Sequence, residues 1–528
     1  MSGKNSSGSK GVFGSFTLAL VVAAGAAAMA MIPPCHIGDM QLGRADLFGL
    51  HDNPSETAPS EFKADINRLD RQLEQFEQKK AEEADSLEET LKAASLWALS
   101  PVDTSARQLI EMDSTMDLSS LKALVPIEDF DTSRTTALAA FGDALISGRP
   151  VNVAFMGDSF IEGDILTSDL RRKMQDRFGG SGIGFIPCDI PFKIFNKSVS
   201  RLSTGWTSYS IMKQKSVPDN LKDKFLISGY IASGGPGAST VWEDKTERCS
   251  ADYAEIYLQA EKDGSVEVRI NDADTSTFTV PADGSLHRIR IEAPVSKIAV
   301  LVKTGRILCY GVRTGLASGF HLDNYSVRSN NGQAIFGTGA VLNRQYGEMV
   351  GYDMVVLQYG LNILQDGKTS YQKYEQQLID IITYIRRSFP GAAVLVLGVS
   401  DRWIKAQGAD EFRPIDSAST LIRFQRSAAR KCGVCFWNTL DAMDKLGGMP
   451  DFIENGWVAA DHTHINYRGG KAFASKLYEA FCQCAFEAWT RRREAELEKI
   501  RPEALDSLLK AEMLLAPPES QLKVELSR

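Results

Sequence analysis

Histidine is the side chain best suited to act as a general base near neutral pH, and this sequence contains six. Only His462 and His464 belong to the part of the chain in which predicted strands alternate with helices. Asp461 precedes His464 by three residues, a spacing that puts both side chains on one side of a turn or first helical coil. Its carboxylate could accept the imidazole Nδ1–H and leave Nε2 free to take a proton, whereas His462 would point elsewhere. The alternative is that Asp461 is a surface residue and that His464 has no catalytic role.

A possible nucleophile follows the short apolar run Val151–Met156, which predicts a buried strand. The residues Gly-Asp-Ser come next, and then a predicted helix, Asp164–Phe178. Ligands bind beyond the carboxyl ends of strands in open α/β sheets, where the free N–H groups of a helix N-terminus can stabilise an oxyanion. Ser159 could therefore attack an acyl group, or it could simply cap the helix.

Two further segments could supply oxyanion donors. Asn362 follows another apolar run, and its carboxamide could donate a hydrogen bond at the carboxyl end of that strand. Gly332 ends the run Ser-Asn-Asn-Gly, and its N–H could approach a ligand closely because glycine has no Cβ. Each residue alone is equally typical of an ordinary turn.

The elements that must position these residues alternate between buried strands and amphipathic helices. This rhythm predicts a parallel sheet with helices on both faces. Besides the strand and helix that flank Ser159, the predicted strands are Tyr352–Tyr359, Ala393–Val399 and Val434–Trp437, and the predicted helices are Thr135–Ile146, Tyr371–Phe389, Thr420–Lys431 and Arg468–Trp489.

A different pattern interrupts this rhythm between about Asn196 and His321. Alternating apolar and polar residues with regular turns predict an antiparallel β-sandwich, inserted into a single α/β domain. Trp206, Trp242 and Tyr230 could stack on sugar rings or fill the core of the sandwich.

Taken together and in this chain order, the four motifs resemble the sequence blocks of the SGNH (GDSL-like) hydrolase family. The resemblance covers about Val151–Phe195 and Tyr325–Phe486. The stretches GDSFIEGDILTSDLRRKMQDRFGGSGIGFI and FWNTLDAMDKLGGMPDFIENGWVAADHTHINYRGGKAFASKLYEA look like the branch with bacterial peptidoglycan and polysaccharide O-acetylesterases. Members of that branch carry a carbohydrate-binding-like β-sandwich between the serine and glycine blocks.

The resemblance implies a flavodoxin-like, three-layer α/β fold and a role for each motif residue. Ser159 would be the nucleophile, His464 the general base and then acid, and Asp461 the residue that orients His464. The oxyanion hole would comprise the Ser159 N–H, the Gly332 N–H and the Asn362 side chain. No metal or organic cofactor is implied.

The N-terminal segment Gly11–Ile32 is uncharged and long enough to cross a bilayer core of ~30 Å. Lys4 and Lys10 precede it, so the positive-inside rule places the rest of the chain outside the cytoplasm. The segment is expected to be an inner-membrane anchor with a periplasmic catalytic domain. The alternatives are a cleaved export signal, which gives a secreted protein, and a buried soluble helix.

The sequence predicts five regions. They are a membrane segment (1–35), a helical stalk and linker (36–134), an SGNH core (135–195 with 322–490), an inserted β-sandwich (196–321) and a charged helical tail (491–528).

Composition excludes several classes of protein. A chain of 528 residues with 43% hydrophobic residues is neither disordered nor a small disulfide scaffold. Its formal net charge is −8, whereas a nucleic-acid-binding protein normally has a basic domain or stripe. Its eight cysteines include Cys432 and Cys435, for which core thiols, a disulfide or a metal site are the alternatives.

We therefore expect a membrane-anchored serine esterase that removes O-acyl, most simply O-acetyl, groups from an acylated carbohydrate polymer such as peptidoglycan or exopolysaccharide. An O-acetyltransferase of the same mechanism, a non-catalytic carbohydrate-binding protein and a lipase or thioesterase are the alternatives.

Overall fold

The computed structural model describes residues 35–37, 40–42, 123–246, 251–271, 273, 275–405 and 411–499. Its strands, in chain order, are β1 (Cys35–Ile37), β2 (Met40–Leu42), β3 (Glu128–Asp129), β4 (Val151–Gly157), β5 (Gly184–Pro187), β6 (Val199–Ser210), β7 (Tyr230–Asp244), β8 (Ala251–Ile270), β9 (Ser276–Val280), β10 (His287–Val295), β11 (Lys297–Gly315), β12 (Phe320–Ser326), β13 (Met354–Gln358), β14 (Ala393–Leu397), β15 (Trp403–Lys405), β16 (Phe412–Pro414) and β17 (Cys435–Trp437).

The helices are α1 (Ala137–Leu145), α2 (Thr167–Phe178), α3 (Ala340–Val350), α4 (Gln372–Ser388), α5 (Ala418–Cys432), α6 (Thr439–Asp444), α7 (Gly448–Glu454) and α8 (Tyr467–Lys499). Short 3₁₀ turns cover Ser159–Asp164, Ile211–Ser216, Asp219–Leu221 and Gln333–Gly337.

The core is a six-stranded sheet in the order β12-β4-β13-β14-β17-β3. The first five strands pair in parallel, and β3 adds an antiparallel edge. Every residue of β4, β13 and β14 is buried, as expected for a parallel sheet that is covered on both faces. The predicted parallel α/β core is confirmed. The two residues of β3 fall in the predicted linker because so short a strand has no periodicity to detect.

Helices complete the core in two packed groups. In one group α1 and α2 pack against α8, and in the other α4 packs against α3 and α5. Helix α4 shows why: Leu378, Ile381, Ile382 and Ile385 recur at helical spacing and are all buried. Helix α8 continues to Lys499, so the helix of the core runs past the predicted boundary at residue 490.

The inserted region forms one antiparallel sheet in the order β10-β8-β11-β7-β6, with β9 paired to β8 and β5 paired to β11. Because β5 belongs to this sheet, the insert begins before the predicted boundary at residue 196. The sequence does not reveal β5, since four residues directly after a glycine-rich segment show too little alternation to indicate a strand.

The insert closes on itself like a sandwich although its strands form one continuous sheet. The pairing of β11 with β7 shifts register between Leu301 and Ile307, which divides β11 into two halves. Val300 and Val302 from one half share a single hydrophobic core with Ile307 and Cys309 from the other. The bulged strands therefore let one sheet enclose its own core.

The aromatic residues of the insert are chiefly core residues. Trp242 and Tyr230 are buried, so of the two alternatives for these rings, core packing holds for both. Trp206 is partly buried against the core of the insert, and its Nε1 donates to the carbonyl of Ser239 at 2.9 Å. Burial of these large rings is the main stabilising contribution they make.

A buried ion pair joins the insert to the core sheet. Arg313 in β11 donates through Nε to Asp323 Oδ2 in β12 at 2.9 Å, and both side chains are buried. Asp323 also accepts hydrogen bonds from the Tyr352 hydroxyl at 2.7 Å and from the Phe185 N–H at 2.9 Å. A buried charge network of this kind is stable only while every member keeps its partner.

The N-terminal region is described only by the antiparallel pair β1 and β2. The predicted membrane segment Gly11–Ile32 and the predicted stalk helix Glu61–Leu99 lie outside the described residues. No helix within the described ranges is both long and apolar enough to cross a membrane.

The cysteines that the structure describes with their side chains are all free thiols, and Cys435 is buried in β17. These same parts of the chain hold no cluster of residues that could ligate a metal ion. Cys432 and Cys435 thus match the expectation of thiols beside a core strand.

Loss of one partner of the buried ion pair should destabilise the fold strongly. We expect Asp323→Ala to lower the free energy of unfolding by about 3–5 kcal/mol, because Arg313 would lose its hydrogen-bonded carboxylate and keep, among the described residues, only Glu255, 3.7 Å away, as an ion-pair partner. Urea unfolding followed by circular dichroism measures this loss.

The second substitution Arg313→Met should recover part of the loss by removing the stranded charge. The exposed pair of Arg344 and Glu348 provides the control, since Glu348→Ala should leave the unfolding midpoint unchanged within error. Equal midpoints for Asp323→Ala and the parent would show that the buried pair does not hold the two sheets together.

Candidate active site

Three core strands end at the same level of the sheet. Gly157 at the end of β4 lies in register with Ser326 at the end of β12 and with Gln358 at the end of β13. The turn that Ser159 opens therefore starts beside the segments that contain Gly332 and Asn362. The parallel register brings together motifs that are far apart in sequence, at the edge where α/β sheets bind ligands.

Ser159 opens the 3₁₀ turn Ser159–Asp164, and its hydroxyl does not cap that turn. The cap is Asp158, whose Oδ1 accepts the Phe160 N–H at 2.9 Å. The alternative role of Ser159 as a helix cap is therefore wrong, and its Oγ is available for other contacts. As the first residue of the turn, Ser159 has an N–H without an acceptor inside it.

Asp461 and His464 lie in a tight loop before α8. The bridge between Val458 and Ile465 closes this loop, and the Ala459 N–H donates to the carbonyl of His464 at 2.7 Å. Asp461 Oδ1 accepts the N–H groups of Thr463 and His464, both at 3.0 Å. These hydrogen bonds fix the carboxylate before it meets the imidazole ring.

A continuous hydrogen-bonded chain joins three of the predicted residues. His464 Nε2 lies 2.9 Å from Ser159 Oγ, and His464 Nδ1 lies 2.6 Å from Asp461 Oδ2. An ionised carboxylate only accepts hydrogen bonds, so Nδ1 carries the ring hydrogen and Nε2 accepts from the serine hydroxyl. The structure thus brings Ser159, His464 and Asp461 together in the order that general-base activation of a serine requires.

Hydrogen bonding keeps Asp461 ionised. Its partial burial acts to raise the pKa, but hydrogen bonds from the His464 ring and from the N–H groups of His464 and Thr463 outweigh burial and lower it. A carboxylate that remains charged can hold the ring of His464 in one tautomer and stabilise it when it becomes protonated.

His462, two residues before His464, lies apart from this chain. Its ring packs on Phe412 with ring centroids 3.9 Å apart, and its backbone has a φ of 47°. Its carbonyl accepts the N–H of Trp403 at 3.0 Å. His462 therefore shapes the loop and does not contact Ser159.

The other two predicted oxyanion donors lie at the same edge but already have protein acceptors. Asn362 Nδ2 donates to Asp158 Oδ2 at 2.9 Å and to the carbonyl of Asn330 at 3.0 Å. The Gly332 N–H donates to Asn330 Oδ1 at 2.9 Å. To bind an oxyanion, Asn362 and Gly332 must share these hydrogens or exchange their acceptors, whereas the Ser159 N–H has no acceptor in the part of the chain that the structure describes.

The sequence does not reveal two residues that organise this edge, Asp158 and Asn330. Burial raises the pKa of Asp158 to about 6, although the Phe160 N–H, the charge of His464 and Asn362 act to lower it. Asn330 is buried and accepts hydrogen bonds from both Gly332 and Asn362. Both lie inside motifs that the sequence singles out, but no pattern indicates that Asp158 bonds to a side chain 204 residues away.

The site is open to solvent. The side chains of His464 and Asp461 are 43% and 52% exposed. Phe195 is 75% exposed and meets the ring of Tyr467, three residues after His464, edge-on with ring centroids 6.0 Å apart. Tyr467 donates to the carbonyl of Gly163 at 2.8 Å, which ties α8 to the turn that carries Ser159.

No protein-family model matches the chain, and no curated protein matches it in sequence. Solved structures, however, do match the chain. A peptidoglycan O-acetylesterase aligns with a TM-score of 0.55 and 20% identity, over 67% of this chain and 97% of that chain.

Two further structures align with low TM-scores. A family two carbohydrate esterase from Cellvibrio japonicus is 10% identical with a TM-score of 0.24, over 56% of this chain and 99% of that chain. An acetyl xylan esterase is 16% identical with a TM-score of 0.24, over 30% of this chain and 81% of that chain. The chain therefore shares the fold of the peptidoglycan O-acetylesterase, and the predicted resemblance to SGNH hydrolases is confirmed at the level of the fold.

Proposed function

We propose that the protein is a serine esterase that removes O-acetyl groups from a carbohydrate polymer through an acyl-serine intermediate. The observation that carries this proposal is the hydrogen-bonded chain from Ser159 Oγ through the His464 ring to the Asp461 carboxylate. The fold shared with a peptidoglycan O-acetylesterase supports the choice of an acetyl ester on a carbohydrate.

In the first half of the reaction, Ser159 Oγ attacks the carbonyl carbon of the ester while His464 Nε2 takes the hydroxyl proton. Asp461 stabilises the imidazolium ion that results. Collapse of the tetrahedral intermediate breaks the bond to the sugar oxygen, which receives the proton from His464. The deacetylated sugar then leaves, and the acetyl group remains on Ser159.

In the second half, water attacks the acetyl carbonyl carbon and gives one proton to His464 Nε2. The bond to Ser159 Oγ breaks, this oxygen regains the proton, and acetate is released. In both halves the negative charge develops on the carbonyl oxygen, next to the Ser159 N–H. Gly332 and Asn362 would add their hydrogens there by loosening their bonds to Asn330 and Asp158.

The surroundings of the site support a polar polymer over a lipid as substrate. Arg328 forms an ion pair with Glu162, three residues after the nucleophile, and Arg328 is half-exposed. His464 and Asp461 are likewise open to water. An exposed, charged rim suits a hydrated chain that passes across the site, whereas a long acyl chain needs an apolar tunnel.

Access of water also favours hydrolysis over acetyl transfer. A transferase must keep water away from the acyl-serine for long enough to bind a sugar hydroxyl. The exposed ring of His464 offers no such shield. We therefore propose acetate, and not an acetylated acceptor, as the main product.

We also propose that the enzyme acts outside the cytoplasm. This proposal is supported only by the apolar segment Gly11–Ile32 and the two lysines before it. Acetylated polymers of the cell envelope would be accessible there.

Removal of the nucleophile should abolish turnover. We expect Ser159→Ala to lower kcat for nitrophenyl acetate by a factor of about 10⁴–10⁶, because only binding and oxyanion stabilisation would remain. Nitrophenol release and acetate release from acetylated peptidoglycan both measure the effect. Turnover equal to that of the parent enzyme would refute the assignment of Ser159.

The two neighbouring histidines form a matched pair. We expect His464→Gln to lower kcat by a factor of at least about 10⁴, since no other described base contacts the hydroxyl of Ser159. His462→Gln should change kcat by less than about threefold, because His462 packs on Phe412 and does not touch the nucleophile.

Circular dichroism spectra of both histidine variants control for folding. An equal loss of activity in the two variants would mean that the loop, and not the imidazole of His464, carries the effect.

A further inference from the structure

A cavity of about 110 Å³ lies between the α/β core and the inserted sheet. The core contributes Gly163, Asp164 and Asn324 to its wall, and the insert contributes Arg201 and Tyr230. Gly163 and Asp164 belong to the turn that Ser159 opens. The cavity therefore shares a wall with the segment that carries the nucleophile.

Two hydroxyl groups in this wall lack a protein partner. Ser228 and Tyr230 are each only 2% exposed. Within the described residues, neither the Ser228 Oγ nor the Tyr230 Oη has a hydrogen-bond partner. Because buried polar groups are almost always hydrogen-bonded, these two hydroxyls indicate that a polar molecule belongs in the cavity.

Arg201 adds a guanidinium group whose hydrogen-bonding capacity is largely unused. Its recorded hydrogen bond among the described residues runs from Nη1 to the carbonyl of Pro187 at 3.2 Å. A guanidinium has five N–H donors and stays charged in proteins. Burial lowers the pKa of Arg201, although the charge of Asp189 acts to raise it.

Two carboxylates in or near the wall already accept hydrogen bonds from other side chains. Asp164 binds the guanidinium of Arg171 through both oxygens, at 2.8 and 3.0 Å. Asp189, the carboxylate that acts on Arg201, already accepts hydrogen bonds from the hydroxyls of Ser203 and Ser208 at 2.5 Å each. Asp189 offsets part of the charge of Arg201, but the guanidinium keeps N–H donors for a ligand, next to the two hydroxyl donors.

Two charged residues of the segments that carry Ser159 and Gly332 lie near the Tyr230 side of the cavity wall. The charges of Glu162 and Arg328 both act on the Tyr230 hydroxyl. Phe192 packs edge-on against Tyr230, with ring centroids 6.0 Å apart, and the Arg328 guanidinium lies 5.6 Å from the centre of the Phe192 ring. Glu162 follows Ser159 by three residues, and Arg328 precedes Gly332 by four. The segments that carry two of the catalytic motifs therefore adjoin the cavity wall.

We propose that the cavity is a subsite for the carboxylate of an acidic sugar residue, which lies beside the acetylated residue in the same polymer. This inference rests on the proposed esterase function and narrows its substrate to an anionic polysaccharide. The planar carboxylate fits the guanidinium of Arg201 in a two-point contact, and the hydroxyls of Ser228 and Tyr230 can donate hydrogen bonds to its oxygens. Burial and the charge of Glu162 raise the pKa of Tyr230, so its hydroxyl remains a donor at neutral pH.

Binding to an inactive enzyme tests this subsite without turnover. The full chain with Ser159→Ala is titrated calorimetrically with a glucuronate-containing tetrasaccharide, and then with the same tetrasaccharide after reduction of its carboxyl groups to alcohols. We expect the reduced sugar to bind about tenfold to a hundredfold more weakly, as loss of a hydrogen-bonded charge predicts.

Adding Arg201→Gln should weaken binding of the glucuronate sugar by a similar factor and abolish the preference between the two sugars. Tyr230→Phe keeps the apolar ring and should weaken binding of the glucuronate sugar by a few fold. Arg269→Gln is the matched control, because Arg269 is an exposed arginine of the same insert that bonds only to Thr275 among the described side chains. It should bind both sugars as the parent does.

Equal binding of the two sugars to the parent would overturn the proposal. So would a preference for the glucuronate sugar that survives Arg201→Gln in a protein with a native circular dichroism spectrum. If Arg201→Gln unfolds the chain, Tyr230→Phe decides, and unchanged binding in that variant overturns the proposal.

A failure of the esterase assignment gives a different result. In that case the Ser159-containing enzyme releases no acetate from any ester, while the preference for the carboxylate and its dependence on Arg201 persist. Conversely, an active esterase in which Arg201→Gln changes neither binding nor kcat/KM for the polymer retains its function and loses this subsite.

Discussion

The hydrogen bond between Ser159 Oγ and His464 Nε2 is the interaction on which the chemistry depends, and it joins residues 305 positions apart. Neither residue can make it alone. Ser159 is placed by the end of a buried strand, and His464 by a loop that Asp461 holds through two backbone N–H groups. The parallel sheet supplies the common edge, because β4, β12 and β13 end in register. The fold thus turns three distant motifs into one site.

The same edge contains a buried carboxyl group, that of Asp158, which takes no part in the proposed proton transfers. Asp158 caps the turn of the nucleophile and binds Asn362, so the strand end and the oxyanion donor are mechanically linked. A second buried carboxylate, Asp323, links the core to the insert through Arg313. Both groups are costly to bury, and each is stabilised by hydrogen bonds from more than one segment. These contacts explain how the insert can hold a defined position beside the catalytic edge.

The sequence predicts what residue type and periodicity determine, and little else. The run Val151–Met156 indicates β4 because the residues of a doubly covered strand are mostly apolar. Strand β5 is missed, since its four residues pair with β11 for reasons of tertiary contact alone. The motifs and their order do predict the hydrogen bond between Ser159 and His464. The hydrogen bond from the Gly332 N–H to the Asn330 side chain could not be predicted, because sequence does not show which way a side chain points in a turn.

The central claim is that Ser159 is the activated nucleophile of this edge. Treatment of the full-length protein with a fluorophosphonate, followed by proteolysis and mass spectrometry, tests it most directly. The account predicts one phosphonylated peptide with the modification on Ser159, since among the described residues only this hydroxyl is hydrogen-bonded to the His464 ring. An unmodified Ser159 in folded protein, or a modification on a different serine, would contradict the account.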